Sequence, residues 1–258
     1  MPLNAIFEKP GRLALAAFED IGRFFRILGA TFYWAVRPPF DLREWVRQMV
    51  RIGVDSLPVV GLTAAFTGAV LALQTFTAFA RFNAESWVGS VVALSLTREL
   101  APVLTALMIA GRIGSALAAE LGSMRVTEQI DALTTMATQP VQYLIVPRVA
   151  AATLMLPFLV VFADGLGIVG GYSVAVKLMG ANPLVYWERT YQFLELNDIF
   201  SGLTKAAVFG LILSVTGCSK GFHTEGGAEG VGRSTTAAVV MSSLVILLSD
   251  FFLTKMLF

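Results

Sequence analysis

An all-α integral membrane protein, with an N-terminal interfacial amphipathic helix, five transmembrane helices and a short cytoplasmic helix between two of them, is the fold class this sequence predicts. The chain is 56% hydrophobic and only 14% charged over 258 residues, with a mean hydropathy of +0.72, whereas an ordinary soluble domain carries about 25% charged residues. Five stretches reach the roughly 20 apolar residues that a helix needs to cross a bilayer. Lys and Arg gather on one side of those stretches, as they do in cytoplasmic loops. The net charge of +1, with no basic run interleaved with aromatics, gives no sign of nucleic-acid binding. Cys218 and His223 are each alone, which excludes an intrachain disulfide and a cysteine-based metal cluster.

The first element is amphipathic. Ala14, Ala17, Phe18, Ile21, Phe24, Phe25 and Leu28 recur at helical spacing with Arg12, Glu19, Arg23 and Arg26 between them. Such a helix lies in the interface plane. Glu8, Lys9, Glu19 and Asp20 interrupt the uninterrupted apolar core that a signal peptide would need, so none is expected. The next piece, "DLREWVRQMVRIG", places Arg43, Arg47 and Arg51 on one helix face, where they meet either lipid headgroups or solvent. These helices form an interfacial region over 1–55, and 56–258 forms the membrane domain.

The five spans are expected at 58–79, 87–119, 147–176, 198–219 and 236–257. Gly167 and Gly171 make a small-xxx-small pair for close helix packing. With the N-terminus inside, twelve Lys and Arg fall on the cytoplasmic side and four, Arg81, Lys177, Arg189 and Lys255, on the other. That asymmetry puts the N-terminus in the cytoplasm and the C-terminus outside.

Charges inside the spans are the functional signal. Arg98 lies eleven residues after Trp87, about 16 Å deep and close to mid-membrane, with Glu99 next to it. Lys205 and Asp250 fall about 10 Å and about 9 Å from the outer face. A charge at the bilayer centre costs at least about 2.5 kcal/mol, so these four face the bundle interior, pair, or line a wet cavity. Pro102 cannot donate to the carbonyl of residue 98, which frees that carbonyl and bends the helix. Thr63, Thr67 and Gln74 form a polar stripe on the first span that is placed to face the same space. Two readings stay open: a structural ion-pair network, or a binding site for an amphipathic or ionic solute. Asp164 is either a further member or a polar kink.

On the cytoplasmic side, "MRVTEQIDALTTMATQP" carries Val126, Ile130, Leu133 and Met136 at helical spacing and Glu128 and Asp131 on another face, with Thr127 as a cap. Such a helix seats in a partner's groove or rests on the membrane. "GAEGVGRS", residues 227–234, imitates a phosphate-binding loop but has Arg233 where Lys belongs, and it lacks the strand that such a loop follows. Its glycines are expected to make a flexible turn, with Ser234 or Thr235 capping the last helix. No catalytic constellation, metal site or cofactor motif stands out, so an enzyme is not expected.

The run "SLTRELAPVLTALMIAGRIGSALAAELGSMRVTEQIDAL", with "EGVGRSTTAAVV" and "LLSDFFLTKMLF", resembles the MlaE (YrbE) permease family, the membrane subunit of ABC-type phospholipid transporters. The resemblance implies a homodimeric permease of the bacterial inner membrane acting in outer-membrane lipid asymmetry. Its implied partners are phospholipid, a cytoplasmic ABC ATPase (MlaF-like), a STAS-domain protein (MlaB-like) and a periplasmic MCE-domain protein (MlaD-like). Arg98, Glu99, Lys205 and Asp250, with Thr67 and Gln74, would bind lipid. Thr127, Glu128, Asp131 and Leu133 would form the coupling helix seated on the ATPase. Two other classes compete: a stand-alone ion- or proton-coupled transporter using Glu99 and Asp250, and a scaffold that anchors its partners.

Overall fold

The computed structural model describes residues 4–38 and 41–257. Among these described residues nine helices follow one another: α1 (Asn4–Ala35), α2 (Leu42–Ile52), α3 (Leu57–Ala80), α4 (Glu85–Val126), α5 (Gln129–Thr135), α6 (Val141–Leu178), α7 (Pro183–Phe193), α8 (Leu196–Phe222) and α9 (Gly227–Leu257). No strand occurs among the described residues. Five helical stretches, α2 with α3, then α4, α6, α8 and α9, are long and apolar enough to cross a membrane. Short connections make them alternate in direction. The loops at 126–141 and 222–227 therefore share the end of the bundle that holds α1 and α2, while α7 lies at the opposite end.

α1 extends through Ala35, with Leu15, Phe18, Phe25 and Phe32 exposed and Ile27 and Thr31 buried against the bundle. The side chains of Arg12, Ala14 and Ala17 lie outside the described ones. In α2, Asp41 caps the first turn by accepting from the Glu44 amide at 3.1 Å. The arginines of α2 do not act alike. Arg47 pairs with Glu44 on its own helix at 2.6 Å, whereas Arg51 reaches Glu120 of α4 at 3.0 Å and ties α2 to the bundle. Glu120 also takes Arg148 of α6 at 3.3 Å.

The centre is a sandwich of α6 between α3 and α8. The expected small-residue packing is present: Gly68 of α3 sits on the Gly167 carbonyl, so closely that no Cβ fits there. Gly171 packs on the Val92 side chain of α4 and, less closely, on the Gly68 carbonyl. Backbones meet because lipid supplies no hydrophobic drive between helices, leaving contact and dispersion to hold them. α9 is the least covered span, burying only Gly230, Ala238, Ser242 and Ile246 and exposing Leu244, Leu248, Phe251 and Phe252.

Three local outcomes differ from the sequence expectation. Thr127 does not cap α5: its hydroxyl donates back to the Ser123 carbonyl at 2.9 Å and so closes α4, while Glu128 precedes α5 in a left-handed conformation, φ 58°. The glycine stretch at 227–234 is not a turn but the first two turns of α9, and neither Ser234 nor Thr235 caps it. The turn comes one residue earlier, where Gly226 and Gly227 take φ of 90° and 67°, and Gly230 must lack a Cβ because the Glu225 carbonyl lies against it. Finally, α7 forms where hydropathy announces no element. Asn182 caps it through the Leu184 amide at 2.9 Å, Pro183 starts it, and its Tyr186 and Trp187 pack on Tyr172. Burial pushes the Tyr186 hydroxyl further up in pKa, so it stays neutral.

Candidate functional site

The site grows out of one wide turn. From Leu96 to Leu100 the α4 backbone opens to a π-helical turn, in which the Ala101 amide bonds back to the Leu96 carbonyl five residues away. Such turns recur at functional sites because they free carbonyls and redirect side chains. Pro102 follows and has no amide hydrogen to give residue 98. The carbonyl it leaves open is used: the Lys205 ammonium of α8 donates to Arg98 O at 3.0 Å. Gly202 makes that approach possible, since a Cβ there would run into the Thr97 carbonyl.

Lys205 is fully buried and nonetheless well served. Its three protons find the Arg98 carbonyl, Glu99 Oε2 at 2.7 Å and Thr254 Oγ1 at 2.7 Å, and Asp250 Oδ1 adds its charge at 3.2 Å. The Thr254 hydroxyl in turn stands 3.1 Å from Glu99 Oε1 and 2.9 Å from the Asp250 carbonyl, with one proton to offer between them. α4, α8 and α9 are thereby joined at a single ammonium.

Arg98 points elsewhere. Its guanidinium takes Asp198 Oδ1 through Nε and Nη2, both at 2.7 Å. Asp198 is 1% exposed, and its second oxygen accepts the Glu195 amide at 3.1 Å, half of a capping box that starts α8. Thus one carboxylate both begins α8 and fixes Arg98.

The structure therefore brings together Arg98, Glu99, Lys205 and Asp250, as the depth of each in its span implies. Asp198 and Thr254 complete the group without having been singled out in the sequence. Both signals were there to find: Asp198 is seven residues before Lys205, hence on the same face of α8, and Thr254 is four after Asp250. With Asp198 counted, three carboxylates meet two cations, where the four residues read from sequence balance. Thr67 and Gln74 do not join the ions. Thr67 lines a narrow crevice with Thr63, Leu96, Leu100 and Leu104 beside the wide turn, and Gln74 is exposed two turns along α3.

Exposure separates the members. Lys205 is enclosed by its partners, whereas the side chains of Arg98 and Glu99 remain 40% and 38% exposed on the flank of the single chain. Direct contact with anything outside falls to those two, with Asp250 partly open behind them. Asp164 is not part of this group; it stands on α6, and its Oδ1 is buried without a hydrogen-bond partner.

At the α2 end, the α4–α5 connection carries the second set of candidates. Ile130 is buried and Leu133 packs partly against the core, so the apolar face turns inward. Thr127, Glu128 and Asp131 are exposed, with Asp131 held by Arg125 at 2.5 Å, and Val126 and Met136 add exposed apolar surface.

Known proteins resemble this chain in sequence. The family described as Permease MlaE matches residues 45–256, nearly all of α2 to α9. The chain belongs to the MlaE permease family. A probable ABC transporter permease protein of Rickettsia felis is 48% identical over the whole of this chain and 99% of its own length. One from Rickettsia typhi is 51% identical over 96% of each chain. The intermembrane phospholipid transport system permease protein MlaE of Haemophilus influenzae is 38% identical over 96% of this chain and 95% of its own. This is accordingly a multi-pass membrane protein of the permease type, in a family of transporters rather than enzymes.

Proposed function

We propose that this chain is the permease subunit of an ATP-driven phospholipid transporter of the bacterial inner membrane. The observation that carries the proposal is the exposure of Arg98 and Glu99, two opposite charges held open at membrane depth by a rigid ion cluster. Charges in that position do not face acyl chains; they face a cavity, a ligand or a second subunit. A second copy of this chain set against the uncovered face of α9 would close the space and make it a lipid cavity. There Arg98 offers a phosphate a charge-assisted donor, and Glu99 beside it suits the ammonium of a zwitterionic headgroup. Lys205, Asp250 and Asp198 hold the two in place, while Thr67 and Gln74 lie along α3 where acyl chains would run.

The α2 end would face the cytoplasm, as its excess of Lys and Arg supports. The segment around Thr127, Glu128, Asp131 and Leu133 would seat on a MlaF-like ATPase, with Glu128 and Asp131 as the polar rim and Met136 as an apolar anchor. A MlaB-like STAS protein and a periplasmic MlaD-like MCE protein complete the expected assembly. Hydrolysis elsewhere would change how well the cavity accommodates lipid.

The test uses the full chain co-purified with its partner ATPase. Phospholipid is expected to co-purify, to stimulate ATP hydrolysis, and to be retained about tenfold less by Arg98→Met, the loss of one charge-assisted contact. Absence of bound phospholipid together with an ATPase indifferent to added lipid overturns the proposal. Flux driven by a pH gradient in liposomes holding this chain alone would favour a secondary transporter instead.

A further inference from the structure

Two cavities adjoin at the α2 end of the bundle, about 22 Å along α8 from Lys205. One, near 200 Å³, is polar and is lined by Arg23, Lys220, His223, Glu225, Arg233 and Ser234. The other, near 360 Å³, is apolar and is formed by Ile21, Phe24 and Phe25 of α1 with Met241, Val245 and Leu248 of α9. Asp20, Ser219 and Lys220 belong to both.

From these we infer a second lipid site, in which a glycerophospholipid sits between α1, α8 and α9 with its phosphate in the polar cavity and an acyl chain in the apolar one. The inference needs only that the helices span a membrane; it goes beyond the lipid-transport reading of the Arg98 site. Four observations support it. Polar and apolar space are stacked along the span in the order a lipid requires. Arg23, Lys220 and Arg233 converge on the polar part, so three cationic side chains can donate into it. Among the described residues each of these cations holds one carboxylate, Lys220 with Asp20 at 2.7 Å, Arg23 with Glu19, and Arg233 with Glu229 at 3.4 Å, so donors remain for a phosphate. Finally, Thr216 lines the apolar cavity one helical turn below Lys220; it is 3% exposed, and its hydroxyl has no hydrogen-bond partner. An unmet hydroxyl at that depth is where the ester carbonyls of a lipid fall when its phosphate is beside Lys220.

The test photolabels the full chain in an uncharged maltoside detergent, with Phe25 or, separately, Leu248 replaced by the photoreactive p-benzoylphenylalanine. The probe is dioleoylphosphatidylglycerol at limiting concentration. A saturable lipid adduct is expected at both positions, and roughly tenfold less of it in the double variant Arg23→Gln, Lys220→Gln. Thr216→Val, which keeps shape and removes only the hydroxyl, is expected to lower it by a few-fold and covers the case in which the charge variant misfolds. Equal labelling by dioleoylglycerol, which lacks phosphate, overturns the headgroup assignment. Competition by inorganic phosphate makes the polar cavity a site for free phosphate and overturns the lipid. A chain-to-chain adduct at Leu248 makes the groove a contact between two copies, and no adduct at either position refutes the site.

Discussion

The ion pairs around Lys205 and those along α2 are built from the same residue types under opposite constraints. At Lys205, an ammonium with no exposure is met by two adjacent residues of the wide turn of α4 and by two residues of α9 one turn apart. Along α2, the well exposed Arg47 pairs with Glu44 three residues before it, and Glu44, partly covered, also accepts from Gln48, so either keeps water or a neighbour when the other is lost. Between these lies Glu120, one third exposed, shared by exposed Arg51 and the almost buried Arg148. The difference is in what remains when one partner is lost. A buried group left behind has no solvent to turn to, so its loss is costly even where the intact pair adds little net stability. An exposed partner is simply rehydrated.

Removing charges in order of depth tests that distinction. Lys205→Met leaves Glu99 and Asp250 facing each other across an apolar side chain, and it is expected to cost about 3–5 kcal/mol, read as a collapse of thermal stability in detergent. Combining Lys205→Met with Glu99→Gln and Asp250→Asn should recover much of the loss, because no uncompensated charge then remains; no recovery would mean that the cluster is held by packing instead. Asp198→Asn removes the charge that meets Arg98 and leaves one oxygen to serve either Arg98 or the Glu195 amide. As Arg98 is partly open to solvent, the expected cost is smaller, about 1–2 kcal/mol. Glu120→Gln leaves Arg148 with the Leu144 carbonyl but no opposite charge and should cost about 1 kcal/mol, while Arg47→Ala should change stability by roughly 0.5 kcal/mol or less. A cost for Arg47→Ala equal to that for Asp198→Asn would remove burial as the cause.

His223, at the end of α8, offers the mildest probe. Burial lowers its pKa; a hydrogen bond from Nδ1 to the Ser219 carbonyl opposes this, and nearby Arg23, Arg26 and Arg125 lower it further. Because the folded pKa lies below the unfolded value of 6.5, the unfolded chain binds the proton first, and stability falls as pH drops below about 6.5. Melting temperatures of the wild type and His223→Asn, measured from pH 7 downward, should diverge in that window, with the wild type losing more.

The sequence by itself determined the class, the number of spans and the depth of the charges, because these depend on the length of apolar runs and on a fixed rise per residue. It also marked Gly167 and Gly171 as a contact and predicted that Pro102 frees the carbonyl of residue 98. Which group takes that carbonyl was beyond it. Lys205 lies 107 residues away, and only the close passage of α8 at Gly202 brings its ammonium there. The pairing of Arg98 with Asp198 was equally out of reach, since adjacent Glu99 and the formally balanced set of four gave no reason to look for a fifth charge. The start of α9 was misjudged because glycine is a poor helix former in isolation, by about 1 kcal/mol relative to Ala; at Gly230 the neighbouring Glu225 carbonyl excludes anything larger. Periodicity and depth are local and survive in a single sequence. Partner choice is a contact between distant segments, and it exists only once the helices have packed.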